Sequence, residues 1–487
     1  MGITVIADSF GGDSGKSRAC DLFAKDADMM IRVNGGNNRG GEISNEFGSF
    51  TCHAMPSGCF NPDCLNVIAT AVLLNPSQFL LELDELNSMG IDPKIAISDR
   101  LHLILPYHID LNLIEEARLG KNKFFSTCKG VTQADSDRSS KKSLQINEIY
   151  ESDEYILDRL KDAYDIKVAI CGMYRDQGLI SEDLTITTPE EILREIKSYR
   201  DRIKSYLTDT RKLINKYLEE GKSIFAETQL GSQRSIFHGI FPHVTSSCCL
   251  ASFVPVSCGI SPKHVDKVIT LIKSYATTVG SGDFVTAIKD EEADKLVSLG
   301  DEIGRTSGNK RRVGNLDLVG VKYGLELHGA TDIFLTKLDI LDNYDEIPVC
   351  IAYEDQRTGE AVDDFPLTKD LRFMSPVYSY LPGWREDISS CRRFEDLPEN
   401  ARKYVEFIEE QIGMKIRWVS IGKDRDQIID RRSNEMCDNL DNKLIACRKG
   451  LDEKLKNKEE SEYMNEEEVK LTKEFVQRLK SEILLKS

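Results

Sequence analysis

Long apolar runs are missing from this chain: no stretch of its 487 residues approaches the ~20 consecutive apolar residues that cross a bilayer as a helix. The N-terminus has no basic segment followed by an apolar core, so no secretory leader is expected. Cysteine is not scarce, with 13 scattered from Cys20 to Cys447, but metal-binding spacing is. Cys59/Cys64 and Cys248/Cys249 are the close pairs, and neither has zinc-site spacing. This odd, scattered set reads as reduced thiols in a cytoplasmic protein. Excess positive charge is absent too. A net charge of −17 argues against general affinity for nucleic acid. An anionic ligand must therefore be held by a local group of basic residues.

A hydrophobic content of 40% can supply one large core or two moderate ones. Residues 3–18, ITVIADSFGGDSGKSR, organise the rest. Ile3-Thr4-Val5-Ile6 is a short β-branched strand, a glycine turn carries Asp13 and Lys16, and a helix follows from Arg18. Glycines let backbone N–H groups approach a phosphate, a helix start adds partial positive charge, and a lysine adds a full one. A plain tight turn is the competing reading. The loop is not a Walker A motif, because the residue five before Gly15 is Phe10.

Further along, Met30-Ile31-Arg32-Val33 is a second strand, followed by a Gly/Asn-rich loop with Arg39 at 34–41. A helix over 79–86 and a strand over 95–98 continue the alternation, which predicts an α/β fold with a mostly parallel sheet flanked by helices. Residues 121–143 are polar and basic and read as a long surface loop. Thr188, Pro189 and Glu191 make an N-cap, a first-turn proline and a capping-box partner for a helical arm at about 188–220, a lid or interface element. Val244-Thr245-Ser246-Ser247 can present hydroxyls to a phosphate or be an ordinary turn. Residues 305–312, RTSGNKRR, are the densest basic cluster and suit an arginine-bound carboxylate or phosphate, with a basic surface loop as the alternative. In 332–341, DIFLTKLDIL, a buried strand ends at Lys337 and Asp339, where α/β folds bind ligands. A carboxylate there can accept two hydrogen bonds from the guanine edge. From about residue 436 the composition turns to Lys, Glu, Asn and Asp, which predicts a charged helical extension over 436–487 beside a domain of 1–435.

Taken in order, GGDSGKSR at 11–18, GGNNRGG at 35–41, MPSG at 55–58, HVTSS at 243–247, VGSGDF at 279–284, TSGNKRRVGNLD at 306–317, LTKLDILD at 335–342, SPVYSYLPGW at 375–384 and VSIGKDR at 419–425 resemble the adenylosuccinate synthetase family. The resemblance covers about residues 1–430 and implies that family's P-loop-NTPase-related fold. It also implies a cytoplasmic homodimeric ligase that uses GTP, Mg²⁺, L-aspartate and a 6-oxopurine nucleotide such as inosine monophosphate. Under it, Asp13 would be catalytic base and Mg²⁺ ligand, with the Gly40 carbonyl a second ligand and Lys16 on phosphate. Asn38, Thr127, Lys141 and Thr245 would hold the nucleotide monophosphate, and Lys141 would reach the partner subunit's nucleotide. Thr306, Ser307 and Arg311 would receive aspartate. Gly12, Gly15, Lys16, Lys337, Asp339, Ser420 and Gly422 would hold GTP.

The chain departs from the family pattern at several of these places. Ser14 stands for a glutamate, Gly41 for a histidine, Leu230 for a glutamine with Gln229 adjacent, and Asn309 for an arginine; the prolines and glutamate after VGSG are missing. Losing a single donor aimed at developing charge can cost ~2.7–4 kcal/mol of barrier, which implies lowered efficiency on inosine monophosphate. Two further readings stay open. One is a branch that uses (deoxy)guanylate, resembling phage 2-aminoadenylosuccinate synthetases. The other is a non-catalytic, nucleotide-binding regulatory protein on the same scaffold.

Overall fold

A computed structural model of the chain describes residues 2–304 and 308–431. The fold is that of the first of two units, residues 1–429. The extension expected at 436–487 lies outside the described residues, as do Thr306 and Ser307.

The β-branched run at the N-terminus becomes β1, Ile3–Asp8, near the middle of a ten-stranded sheet. Its other strands, in chain order, are β2 Met29–Arg32, β3 Leu65–Ile68, β4 Ile95–Ser98, β5 Leu207–Thr208, β6 Ile224–Glu227, β7 Val265–Lys273, β8 Asp332–Thr336, β9 Ile416–Ser420 and β10 Ile428–Asp430. The spatial order is β10-β9-β8-β7-β1-β6-β2-β3-β4-β5, and every pairing from β9 to β5 is parallel. A parallel sheet is covered on both faces, so its strands need apolar residues on both sides. In β1 this is literal. Ile3, Val5 and Ala7 enter one core while Ile6 enters another with Ala19 and Cys20 of helix α1, Lys16–Ala24.

Helix α2, Pro76–Ser88, starts where Asn75 accepts from Gln78 N–H at 3.0 Å and Pro76 takes the first turn. The supposed loop at 121–143 contains a helix, α3, Val131–Ser139. Its weak apolar pattern hid it, since Val131 and Ala134 are its buried apolar residues. Helix α4, Asp153–Asp176, also went unread in the sequence.

The arm at 188–220 is not one helical excursion. Helix α5, Pro189–Ile203, is followed by edge strand β5 and then by α6, Thr210–Glu219. The Thr188 capping box forms as expected, with Thr188 Oγ1 accepting from Glu191 N–H and Glu191 Oε2 accepting from Thr188 N–H at 2.9 Å. Ile192, Ile196, Tyr199 and Ile203 are buried in the main core beside Phe79 and Leu83 of α2. This segment is packed wall, with no residue of α5 on the cleft described next.

Candidate active site

The carboxyl ends of the parallel strands converge on one cavity of about 1100 Å³. The turn after β1 supplies Asp13, Gly15 and Lys16, and the loop after β2 supplies Asn38, Arg39 and Gly40. Thr228, Gln229 and Leu230 follow β6, Lys337 and Asp339 follow β8, and Gly422 follows β9. Strand order around β1 has its crossovers running to opposite sides, the place where open α/β sheets leave a crevice. Backbone strain marks the same rim. Asp13, Leu230 and Lys337 all have positive φ, at 60°, 62° and 59°, a conformation that non-glycine residues hold only when the surroundings impose it.

At the β1 end, Gly15 caps α1 in a left-handed conformation with φ 84°, and no side chain caps that helix. Its N-terminal N–H groups therefore stay available to an anion. Lys16 Nζ sits 3.1 Å from Asp8 Oδ2. Asp8 is fully buried; burial raises its pKa, but Lys16 and the Phe10 N–H outweigh this and hold it below the ordinary range. Asp13 Oδ2 lies 2.8 Å from Arg311 Nε without hydrogen-bond alignment, so the contact is ionic.

Glu302, which drew no attention in the sequence, lies fully buried behind the cavity's Arg311 and Lys337. Its carboxylate receives Lys273 Nζ at 3.0 Å, Lys337 Nζ at 2.8 Å, Arg311 Nη1 at 2.8 Å and the Tyr275 hydroxyl. Burial opposes its charge, yet Lys273, Lys337 and Arg311 hold the carboxyl far below the usual range. Burial in turn pulls Lys273 down to about 8. One acid thus ties the strand-end lysine of the TKLD stretch to the arginine that meets Asp13.

At the far end, burial pushes the Asp339 carboxyl up, against the charges of Arg18 and Lys337. Arg18 Nη1 donates to Ser420 Oγ at 2.8 Å and to the Gly422 carbonyl, so both of these expected contacts are engaged by protein. Asn38 Oδ1 accepts from Gln229 Nε2 at 2.6 Å, and Gln229 Oε1 accepts from Arg32 at 3.1 Å. The amide next to Leu230 is therefore already committed. A side chain on Gly41 would have to displace Ser17 Oγ and the Arg39 guanidinium, which fill the space beside it. The Arg39 guanidinium pairs with the buried Glu227 at 2.7 Å and donates to Ser17 Oγ at 2.7 Å.

The structure gathers Asp13, Gly15, Lys16, Asn38, Gly40, Thr127, Thr245, Arg311, Lys337, Asp339, Ser420 and Gly422 on this cavity. Gly12 and Lys141 are not on it. Gly12 packs behind the turn, where an added Cβ would stand 3.3 Å from Leu230 Cα. Lys141 is exposed, at φ 64°.

Residues 5–429 match the family model described as adenylosuccinate synthetase. The chain belongs to the adenylosuccinate synthetase family. Adenylosuccinate synthetase of Acidothermus cellulolyticus is 36% identical over 436 residues, which is 89% of this chain and all of that protein. That of Thermobifida fusca is 36% identical over 423 residues, 86% of this chain and 97% of the relative. The fully ligated adenylosuccinate synthetase of Plasmodium falciparum superposes with a TM-score of 0.82 at 26% identity, covering 88% of this chain and 100% of that one. A cyanophage S-2L succinoaminodeoxyadenylate synthetase shares the fold at a TM-score of 0.55 and 14% identity. As a member of the adenylosuccinate synthetase family, the chain is a ligase of the kind that serves purine biosynthesis, in a family that uses GTP and Mg²⁺.

Proposed function

We propose that the chain is a GTP- and Mg²⁺-dependent ligase joining L-aspartate to C6 of a 6-oxopurine nucleotide, most simply inosine monophosphate to adenylosuccinate. One observation carries the reading: Asp13 at the glycine turn and Asp339 beyond β8 line a single cavity, with Lys16, Arg311 and Lys337 between and beside them. The Asp13 carboxylate takes the proton from N1 of the purine, and O6 then attacks the γ-phosphorus of GTP as GDP leaves. The aspartate amine next attacks C6, the phosphate on O6 departs, and the amine gives up a proton. Lys16 and the open N-terminus of α1 hold the phosphates, and Arg311, leaving Asp13, takes a carboxylate of the amino acid.

The Asp13 carboxylate and the Gly40 carbonyl are hard oxygen donors on one cavity, which fits Mg²⁺ completed by phosphates and water. When bound, the ion neutralises charge on the phosphates. Lys141 lies off its own cavity, which favours a homodimer in which it serves a second copy's nucleotide; the mass in solution tests this.

A second reading, a purine other than inosinate, draws on Leu230 at the place of the family glutamine and on the Gln229 amide beside it, which is already committed to Asn38 and Arg32. Purified protein with GTP, Mg²⁺ and aspartate is assayed against inosinate, guanylate and deoxyguanylate, following phosphate release and the succinylated product. Turnover of inosinate above the others supports the first reading, and preference for a guanylate supports the second. Aspartate-dependent turnover of none of them refutes both.

A further inference from the structure

Arg234 closes a short 3-10 turn, Ser232–Arg234, on the wall of the cavity, and it is 6% exposed. Its guanidinium donates to the His243 carbonyl, to Thr278 Oγ1 and, at 2.6 Å, to the Val279 carbonyl. All three acceptors are neutral. Among the described residues, the buried Nε has no hydrogen-bond partner and no carboxylate lies within ion-pair distance of the group. Asp13, the acid that acts on it from farther away, is already held by Arg311. Of the other cations on the cavity, Lys16 is matched by Asp8, Arg39 by Glu227 and Arg311 by Asp13 and Glu302. Arg18, at the far, Asp339 end, also meets only neutral oxygens among the described residues, with Asp339 acting on it from farther away.

Beside it, Arg312 adds a second unmatched cation. Among the described residues its guanidinium makes one hydrogen bond, at 2.6 Å to the Gly282 carbonyl, and it lies over the Phe284 ring. Asp283 acts on it only from beyond ion-pair distance. Burial first, and the Arg312 charge second, bring Arg234 down to about 10. Three neutral oxygens satisfy N–H groups but leave the guanidinium charge without a counter-charge, and a desolvated, unpaired cation is costly. Two guanidinium groups left unmatched on one cavity wall are the geometry of a site whose counter-charge arrives with the ligand.

We infer that Arg234 and Arg312 form an oxyanion subsite of the cavity that takes a carboxylate or phosphate group of the bound substrate. The inference deepens the ligase reading and rests on it for the identity of the cavity's ligands. The amino acid would bring a carboxylate and the nucleotide a phosphate, and both are recognised by the same fork of N–H donors.

The test is calorimetric titration of full-length wild type, Arg234→Leu and Arg234→Lys with L-aspartate, inosine monophosphate, inosine and GTP separately. Arg234→Leu should weaken one or both of the first two by at least about tenfold and GTP by less than about twofold, with Arg234→Lys in between. Loss confined to aspartate assigns a carboxylate, and loss confined to the nucleotide, but not to inosine, assigns its phosphate. Unchanged binding of both anions overturns the inference and leaves Arg234 a loop staple. Parallel loss of all ligands including GTP also counts against it. If Arg234→Leu does not fold, Arg312→Gln is held to the same outcomes. In wild type, the Arg234 side-chain ¹⁵N signals must then move when the anion is added; unmoved signals overturn the inference. Absence of GTP binding in wild type would sink the ligase reading instead, while leaving anion binding at Arg234 to be judged on its own.

Discussion

A Cβ built on Gly41 would stand 2.1 Å from Ser17 Oγ and 2.6 Å from Arg39 Nε. The position that the family pattern gives to a histidine is therefore occupied by Ser17 and by an arginine two residues earlier that is locked to Glu227. Gly41→His should destabilise by about 1–3 kcal/mol through overpacking and should not raise turnover; urea midpoints and initial rates check both. A rise in turnover at unchanged midpoint would mean that Arg39 steps aside. Asp13→Asn keeps the size of the turn but removes the base, so turnover should fall at least about 100-fold with little change in melting temperature. His328 offers a test of a different kind. Its Nδ1 accepts from Ala251 N–H at 3.1 Å, leaving Nε2–H to donate to the Asp8 carbonyl at 2.9 Å. Burial pushes its pKa down to about 4 from an ordinary 6.5. Between those values the unfolded chain binds the proton and the folded one does not. Stability is thus full above pH 6.5 and declines as pH falls toward 4, by on the order of 3 kcal/mol for this one group. Urea unfolding of wild type and His328→Gln between pH 7 and 4.5 should show a shallower fall in the variant. His102, also depressed to about 4, leaves a residual slope in both.

At the scale of elements, legibility followed local signals. Thr188-Pro189-Glu191 announced a helix start because caps are chemistry within four residues, and the cap forms. The same kind of signal at Asn75-Pro76 went unread, so the helix expected over 79–86 begins at Pro76. Ile95–Ser98 was readable as a strand from its short apolar run, Ile95-Ala96-Ile97. Helix α3 was not, since its two buried apolar residues leave no periodic stripe. Leu207–Thr208 was missed for another reason: two residues become a strand only by pairing with Ile97 and Ser98, about 110 positions earlier. The consequence is that α5 and α6 belong to the core. Ile196→Ala should cost about 2–5 kcal/mol in chemical denaturation and leave GTP affinity unchanged, because α5 does not touch the cavity. Weakened GTP binding at full occupancy of the folded state would restore the lid reading.

For the molecule as a whole, the order of strands in the sheet and the hub at Glu302 were beyond the sequence alone. Nothing near residue 302 says that Lys273, Arg311 and Lys337 will meet there; three separate strand ends must first be aligned. Short motifs could place Asp13, Lys16 and Asp339 on strand ends, because a glycine turn or an apolar run is visible locally. The same convergence makes ligands a stabilising force for the entire unit. GTP with Mg²⁺ at about 100 times its dissociation constant should stabilise by about 2.7 kcal/mol, read as a concentration-dependent rise in melting temperature.

β1 carries a cost that only appears in time. Ile3 is flanked by Ile224 on one side and Val265 on the other. At about 5–20 residues per second, the ribosome takes roughly 13–50 s to make the second neighbour after the first strand has emerged. Throughout that interval the newborn N-terminus is an apolar ribbon with both edges bare, a natural client for holding chaperones. Protease added to stalled nascent chains should clip it in those ending before residue 220 and spare it in those long enough to release β7.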